Sequence, residues 1–140
     1  MSTFRRASVV WKGPYDGGRA DVSFGSSGLG PFEVAPAVHD VPPLGQTSPM
    51  ELLAAAVASC VCGMVAFLLE RTGHVAQDLE TMAEVELDGA SIRRVRVRLR
   101  GEVPGLTTDQ FAAVAERART GCPVSKALSG TVISIEPELG

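Results

Sequence analysis

The stretch that decides the fold is SPMELLAAAVASCVCGMVAFLLERTG, residues 48–73. Ser48 suits a helix cap, Pro49 the first helical position, and Glu51 stands three residues after the cap. Gly73 supplies a stop, so a helix is expected from Pro49 to about Arg71. Within it, the 18 residues from Leu52 to Leu69 carry no charge, the length at which a membrane-spanning helix has to be considered. The first half is Leu-Leu-Ala-Ala-Ala-Val-Ala-Ser-Cys, whose small side chains bury little area each. No aromatic belt or cluster of Lys and Arg flanks it. A helix apolar all round otherwise belongs in a protein core. A single domain of 140 residues has difficulty surrounding such a helix. A second subunit covering one side is therefore expected, with this helix at the centre of a dimer and no membrane partner.

Upstream, three short extended segments rich in Val and aromatic residues are expected at Arg6–Trp11, Arg19–Phe24 and Phe32–Val38. Gly13–Pro14 and Gly17–Gly18 mark the first turn, and Gly25, Gly28, Gly30 and Pro31 the second. The Gly25–Gly30 stretch lacks dinucleotide-binding spacing and precedes Pro and a strand, so it reads as a turn. A loop with Pro42, Pro43 and Gly45 leads to the helix. Downstream, Thr81, Ala83, Val85 and Leu87 alternate with acidic residues, and Val95, Val97 and Leu99 alternate with Arg94, Arg96, Arg98 and Arg100. Pairing 85 with 95 across a Gly89-Ala90-Ser91 turn sets apolar residues opposite one another. It also sets Glu86 and Glu84 opposite Arg94 and Arg96. The four arginines then form a solvated face, more simply than a phosphate-binding patch.

A second helix opens on a capping box, Thr107 with Gln110, and carries Phe111, Val114, Ala115 and Ala118 on one face. Gly121 is its stop. A short turn, Pro123–Leu128, and a last strand, Thr131–Ile135, follow. Three strands, helix, two strands, helix and strand make an α+β domain with helices against an antiparallel sheet.

Composition narrows the function. A net charge of −3 and a pI near 5.4 argue against a nucleic-acid binder. Met1–Trp11 has Arg5 and Arg6 but no apolar run after them, so no secretory signal is expected. Three cysteines in such a chain indicate a reducing, cytoplasmic setting, in which any disulfide is transient and chemical. The two histidines, His39 and His74, have no Cys or carboxylate neighbours at metal-ligand spacing, and no metal or other cofactor is expected.

The cysteines carry what chemistry there is. Cys60 and Cys62 lie about 200° apart around the helix, so they cannot pair with each other, and periodicity does not choose between them. Either is equally well a small core hydrophobe. Cys122 follows a helix stop and precedes Pro123. It is either a surface cysteine beside a turn or an N-cap whose thiolate is favoured by the turn after it and by Lys126. In the second case it is a good leaving group when a disulfide is reduced.

Two motifs add a family resemblance. Ser48-Pro49-Met50-Glu51-Leu52-Leu53 through Ala58-Ser59-Cys60 resembles the cysteine-bearing helix of the OsmC/Ohr family. Val103-Pro104-Gly105, Phe111 and Gly121-Cys122-Pro123-Val124-Ser125-Lys126-Ala127-Leu128 resemble the second signature of its OsmC branch. Trp11-Lys12-Gly13 also fits. The resemblance implies one OsmC-like domain over residues 1–140, with antiparallel sheets on a long central helix in an intertwined homodimer. It implies reduction of organic hydroperoxides, and more weakly of hydrogen peroxide, with Cys60 as the peroxidatic and Cys122 as the resolving thiol. An external dithiol such as a lipoyl group would act as reductant. It further implies an Arg–Glu pair. Gly17-Gly18-Arg19 resembles the Ohr-branch arginine, whereas residues 32–46 contain no arginine. Met50 stands where the family has Glu. Glu51 comes one position later, about 13 Å along the helix from Cys60, so any help from it would come across a dimer. Two other readings share the residues: an OsmC-like protein binding a small apolar ligand, and a thiol-based redox sensor.

Overall fold

The structure is a computed structural model, and it describes residues 2–35 and 44–140. The stretch of the third strand expected beyond residue 35, His39, and the Pro42–Pro43 part of the loop lie outside the described residues. By its internal contacts the chain forms two compact units, Met1–Leu52 and Leu53–Gly140.

The first unit holds a three-stranded antiparallel sheet of β1 (Ser8–Lys12), β2 (Arg19–Phe24) and β3 (Leu29–Val34), in that order. The bounds of β2 are those expected. β3 begins three residues earlier than expected, because Gly30 and Pro31, read as turn residues, lie inside the strand. Ala20, Val22 and Val34 form the unit's small buried cluster, with Phe24 against it. Thr47 returns beside the end of β3. Its N–H donates to the Glu33 carbonyl at 2.9 Å, and its own carbonyl accepts from the Ala35 N–H at 2.7 Å. Helix α1 (Pro49–Arg71) starts at this point.

Both ends of α1 are built from local chemistry. The Ser48 hydroxyl accepts from the Glu51 N–H at 3.1 Å. The Glu51 carboxylate, instead of closing the box on Ser48, accepts from the Thr47 hydroxyl at 2.7 Å. At the other end Gly73 takes a left-handed φ of 81°. The His74 and Gly73 N–H groups then bond back to the Leu69 and Glu70 carbonyls, the pattern of a Schellman stop.

In the second unit α1 buries Val57, Val61, Val65, Leu68 and Leu69, a stripe repeating every three or four residues. The hairpin of β4 (Asp78–Asp88) and β5 (Ser91–Glu102) has the expected register, with Val85 opposite Val95, Glu84 opposite Arg96 and Glu86 opposite Arg94. Nearer the turn it shifts by one. Asp88 faces Ser91 across a two-residue turn, and Arg93 is the extra residue of a bulge. Helix α2 (Thr108–Gly121) opens on the Thr107–Gln110 capping box, and α3 (Pro123–Ala127) follows it directly. β6 (Val132–Leu139) completes the sheet in the order β4-β5-β6. Within the expected α+β class, β6 runs parallel to β5, because α2 and α3 together carry the chain back to the start of the sheet.

The core lies between sheet and helices. Val95, Val97, Leu99 and Ile133 meet Phe111, Val114, Ala115 and Ala118 of α2 and the buried stripe of α1. Each large side chain removed from water here contributes about 1.5–3 kcal/mol. Gly101 continues the inward face of β5. A Cβ there would stand 2.8 Å from Phe111 Cζ, so the missing side chain is the space the ring occupies.

Candidate active site

Cys60 and Cys122, 62 residues apart in sequence, are joined as a disulfide, with Cα atoms 6.1 Å apart. That separation lies within the ordinary span of such bonds. Cys60 sits two turns into the uncharged part of α1, half-buried and packed against the core. Its neighbours one turn away are Ala56, Val57, Gly63 and Met64. Cys122 is fully buried, not a surface cysteine. Cys62, on another side of α1, is free and half-buried.

Cys122 holds two posts at once. It caps the C-terminus of α2, with its N–H donating to the Ala118 carbonyl at 3.1 Å. It is also the N-cap of α3, its carbonyl accepting from the Lys126 N–H at 2.9 Å, though its sulfur makes no capping hydrogen bond. Gly121, read as a stop, is the last residue of α2. The helix ends through the extended backbone of Cys122, at φ −68° and ψ 131°, held ready by Pro123. The chain direction changes at the sulfur-bearing residue itself.

Arg19 and Glu51 belong to the first unit and have local partners there. The Arg19 guanidinium donates to Asp21 at 3.1 and 3.2 Å and lies 3.7 Å from Glu33. The hydrogen bond to Asp21, with the charges of Asp21 and Glu33, raises its pKa further above the ordinary arginine value. Glu51 is exposed and bound to Thr47.

The arginines of β5 are exposed or half-buried on the sheet face away from the cysteine pair, as expected of a solvated face. Arg94 pairs with Glu86 at 3.4 Å and Arg98 with Glu136 of β6 at 3.5 Å. A surface cleft of about 560 Å³ opens on that face between Glu80, Arg98, Arg100 and Glu138, and neither cysteine lines it. Arg119 of α2 bonds Glu116 and donates to the Ile133 carbonyl at 3.3 Å, tying α2 to β6. That bond to Arg119 lowers the pKa of Glu116.

The motif reading carried Ser125 without giving it a role. It is 6% exposed, and its Oγ has no hydrogen-bond partner among the described residues. The sequence signal was its place three residues after a capping cysteine. Thr81 Oγ1, on the inward face of β4, is likewise buried and unpartnered.

These features define a class: an α+β protein whose one described disulfide joins a long apolar helix to a second helix–turn signature. The sequence pattern of OsmC-like proteins matches residues 42–138, and the chain belongs to that family. It is 28% identical to peroxiredoxin OsmC of Escherichia coli over 138 residues, 94% of each chain. The Shigella flexneri peroxiredoxin OsmC matches to the same extent. Among solved structures, an OsmC-like protein of unknown function from Vibrio cholerae superposes with a TM-score of 0.78 at 17% identity, covering 97% of this chain and 99% of that one. An organic hydroperoxide resistance protein of Bacillus subtilis superposes with a TM-score of 0.64 at 22% identity, covering 96% and 98%.

Proposed function

We propose that the chain is a thiol-dependent peroxidase that reduces organic hydroperoxides, and hydrogen peroxide more weakly. The observation that carries the reading is the bond between Cys60 and Cys122, which brings the motif cysteines of two distant segments together. Relatives named peroxiredoxins and organic hydroperoxide resistance proteins support it. In the first step the Cys60 thiolate attacks the terminal peroxide oxygen. The O–O bond breaks, the alcohol leaves after taking a proton, and Cys60 becomes a sulfenic acid. The Cys122 thiolate then attacks that sulfur. Hydroxide leaves as water with a proton, and the disulfide forms. An external dithiol of the lipoyl type returns both thiols, itself becoming a disulfide. The half-buried Cys60 sulfur is the more accessible point for the dithiol to attack, which makes the buried Cys122 the leaving thiolate. Ala56, Val57 and Met64 around Cys60 suit the alkyl part of a peroxide. They also disfavour a bare thiolate, so a cation is needed. Arg19 is the candidate, and Glu51 would assist only across a dimer.

The same reading takes the protein to be a cytoplasmic homodimer without resident cofactor. The most apolar 18-residue window of α1 has a mean hydropathy of 2.5, yet only 28% of it is buried within its own chain, and Phe67 is 54% exposed. A second copy covering that surface is expected to give one sedimenting species of twice the chain mass. A well-folded monomer refutes the dimer.

The function is tested by peroxide consumption with a dithiol reductant. An alkyl hydroperoxide should be consumed faster than hydrogen peroxide, and Cys60→Ser should abolish turnover while Cys62→Ser leaves it nearly unchanged. Binding of an apolar ligand with no turnover of any peroxide supports the binding-protein alternative and overturns the peroxidase reading.

A further inference from the structure

We infer that the Ser125 hydroxyl is the hydrogen-bond donor that holds the Cys122 thiolate in the reduced protein and so sets its strength as a leaving group. The inference rests on the peroxidase reading only in giving that thiolate a task. Ser125 is 6% exposed and its Oγ is unpartnered among the described residues in the disulfide form. A buried hydroxyl without a partner is destabilising, so its retention here points to a partner in another state of the protein. Its position identifies that partner.

Ser125 is three residues after the N-cap of α3, the spacing at which cap and third helical residue exchange hydrogen bonds. In α2 the same spacing does so: the Thr107 N–H donates to Gln110 Oε1 at 2.9 Å, and the Gln110 N–H to Thr107 Oγ1 at 3.2 Å. In α3 the exchange is blocked on one side. The Cys122 N–H is already given to Ala118, because Cys122 also ends α2. The Cys122 carbonyl already accepts from the Lys126 N–H, and the cap atom whose acceptor strength changes with redox state is the sulfur. In the disulfide that sulfur is neutral and a weak acceptor, whereas as a thiolate it is a strong one. Reduction therefore creates the acceptor that oxidation removes. The charged groups on the flanking helices are Lys126, exposed on α3, and Asp109, Glu116, Arg117 and Arg119 on α2, Arg119 being paired with Glu116. α1 contributes none between Leu52 and Leu69.

The test uses two measurements, neither involving peroxide. With Cys60→Ser and Cys62→Ser in place, Cys122 is the remaining thiol, and its thiolate absorbance is titrated against pH. Adding Ser125→Ala should raise the Cys122 pKa by about one unit, the scale of one charge-assisted hydrogen bond. In the protein with all its cysteines, Ser125→Ala should shift the equilibrium with a small dithiol about tenfold toward the disulfide, or about 30 mV. Its oxidised form should melt no lower than the unsubstituted protein, since nothing there is lost. An unmoved pKa, an unmoved equilibrium or a lower oxidised melting point overturns the inference. Absence of peroxide turnover in the unsubstituted protein instead overturns the peroxidase reading and leaves these measurements standing.

Discussion

Reducing the Cys60–Cys122 bond should cost the protein a large part of its thermal stability. The bond closes a loop with a sequence separation of 62, for which the chain-entropy model gives about 4 kcal/mol. For a chain of 140 residues the unfolding entropy near the midpoint is about 0.3 kcal/mol per kelvin, so the expected fall in Tm is roughly 10–15 °C. At a pH acidic enough to protonate both thiols, reduction adds no charge, and the surrounding apolar contacts stay in place. The loop term should therefore dominate. The assay is calorimetric unfolding with and without dithiothreitol, at fixed protein concentration because an oligomer's Tm depends on it. Cys122→Ala is the control, and its Tm should not respond to the reductant. If oxidised and reduced forms melt within about 3 °C of each other, the loop-entropy reasoning fails for this protein. A shift of the same size in Cys122→Ala would assign the effect to another site.

Cys122→Ser should react once with an organic hydroperoxide and then stall, accumulating sulfenic and later sulfinic acid on Cys60, visible by mass spectrometry. Continued turnover at the original rate would remove Cys122 from the cycle. Gly101→Ala should destabilise by about 1–3 kcal/mol in chemical unfolding, because its methyl would meet Phe111 at 2.8 and 3.0 Å and Leu79 at 3.1 Å. A neutral result would mean that the Phe111 ring has room to move. Arg19→Ala should leave the unfolding midpoint nearly unchanged, its ion pairs being exposed. It should nonetheless slow the oxidation of Cys60 in stopped-flow measurements, and an unchanged rate dismisses Arg19 as the thiolate's cation.

The parts of the fold legible in the sequence were those fixed by local chemistry. The Thr107–Gln110 box, the Gly73 stop and the Val85–Val95 register each follow from residues a few positions apart. What stayed hidden depends on distant packing. The alternation in β6 is the same whether the strand runs with β5 or against it, so its parallel pairing cannot be read locally. The bulge at Arg93 shortens a turn that the residue types alone leave at three. In α1 nearly every side is apolar, so the pattern does not show that the stripe through Val57, Val61 and Val65 faces inward. Cys60 and Cys62 are equivalent for that reason, and motif resemblance, not periodicity, singled out Cys60. Burial of Ser125 depends on α3 docking against the core, which no window of a few residues contains.

The disulfide also has a topological side. It makes residues 60–122 a closed covalent ring, with β4, β5 and all of α2 inside it and β6 on a tail outside. A protease cutting at the Gly89–Ala90 turn of the oxidised protein would leave a single molecule that separates into two pieces only when reduced. Strand β6 gains no such tether, and hydrogen bonds and packing alone keep it on the sheet. Oxidation thus protects the hairpin from permanent loss and leaves β6, alone of the three strands of its sheet, outside the covalent ring.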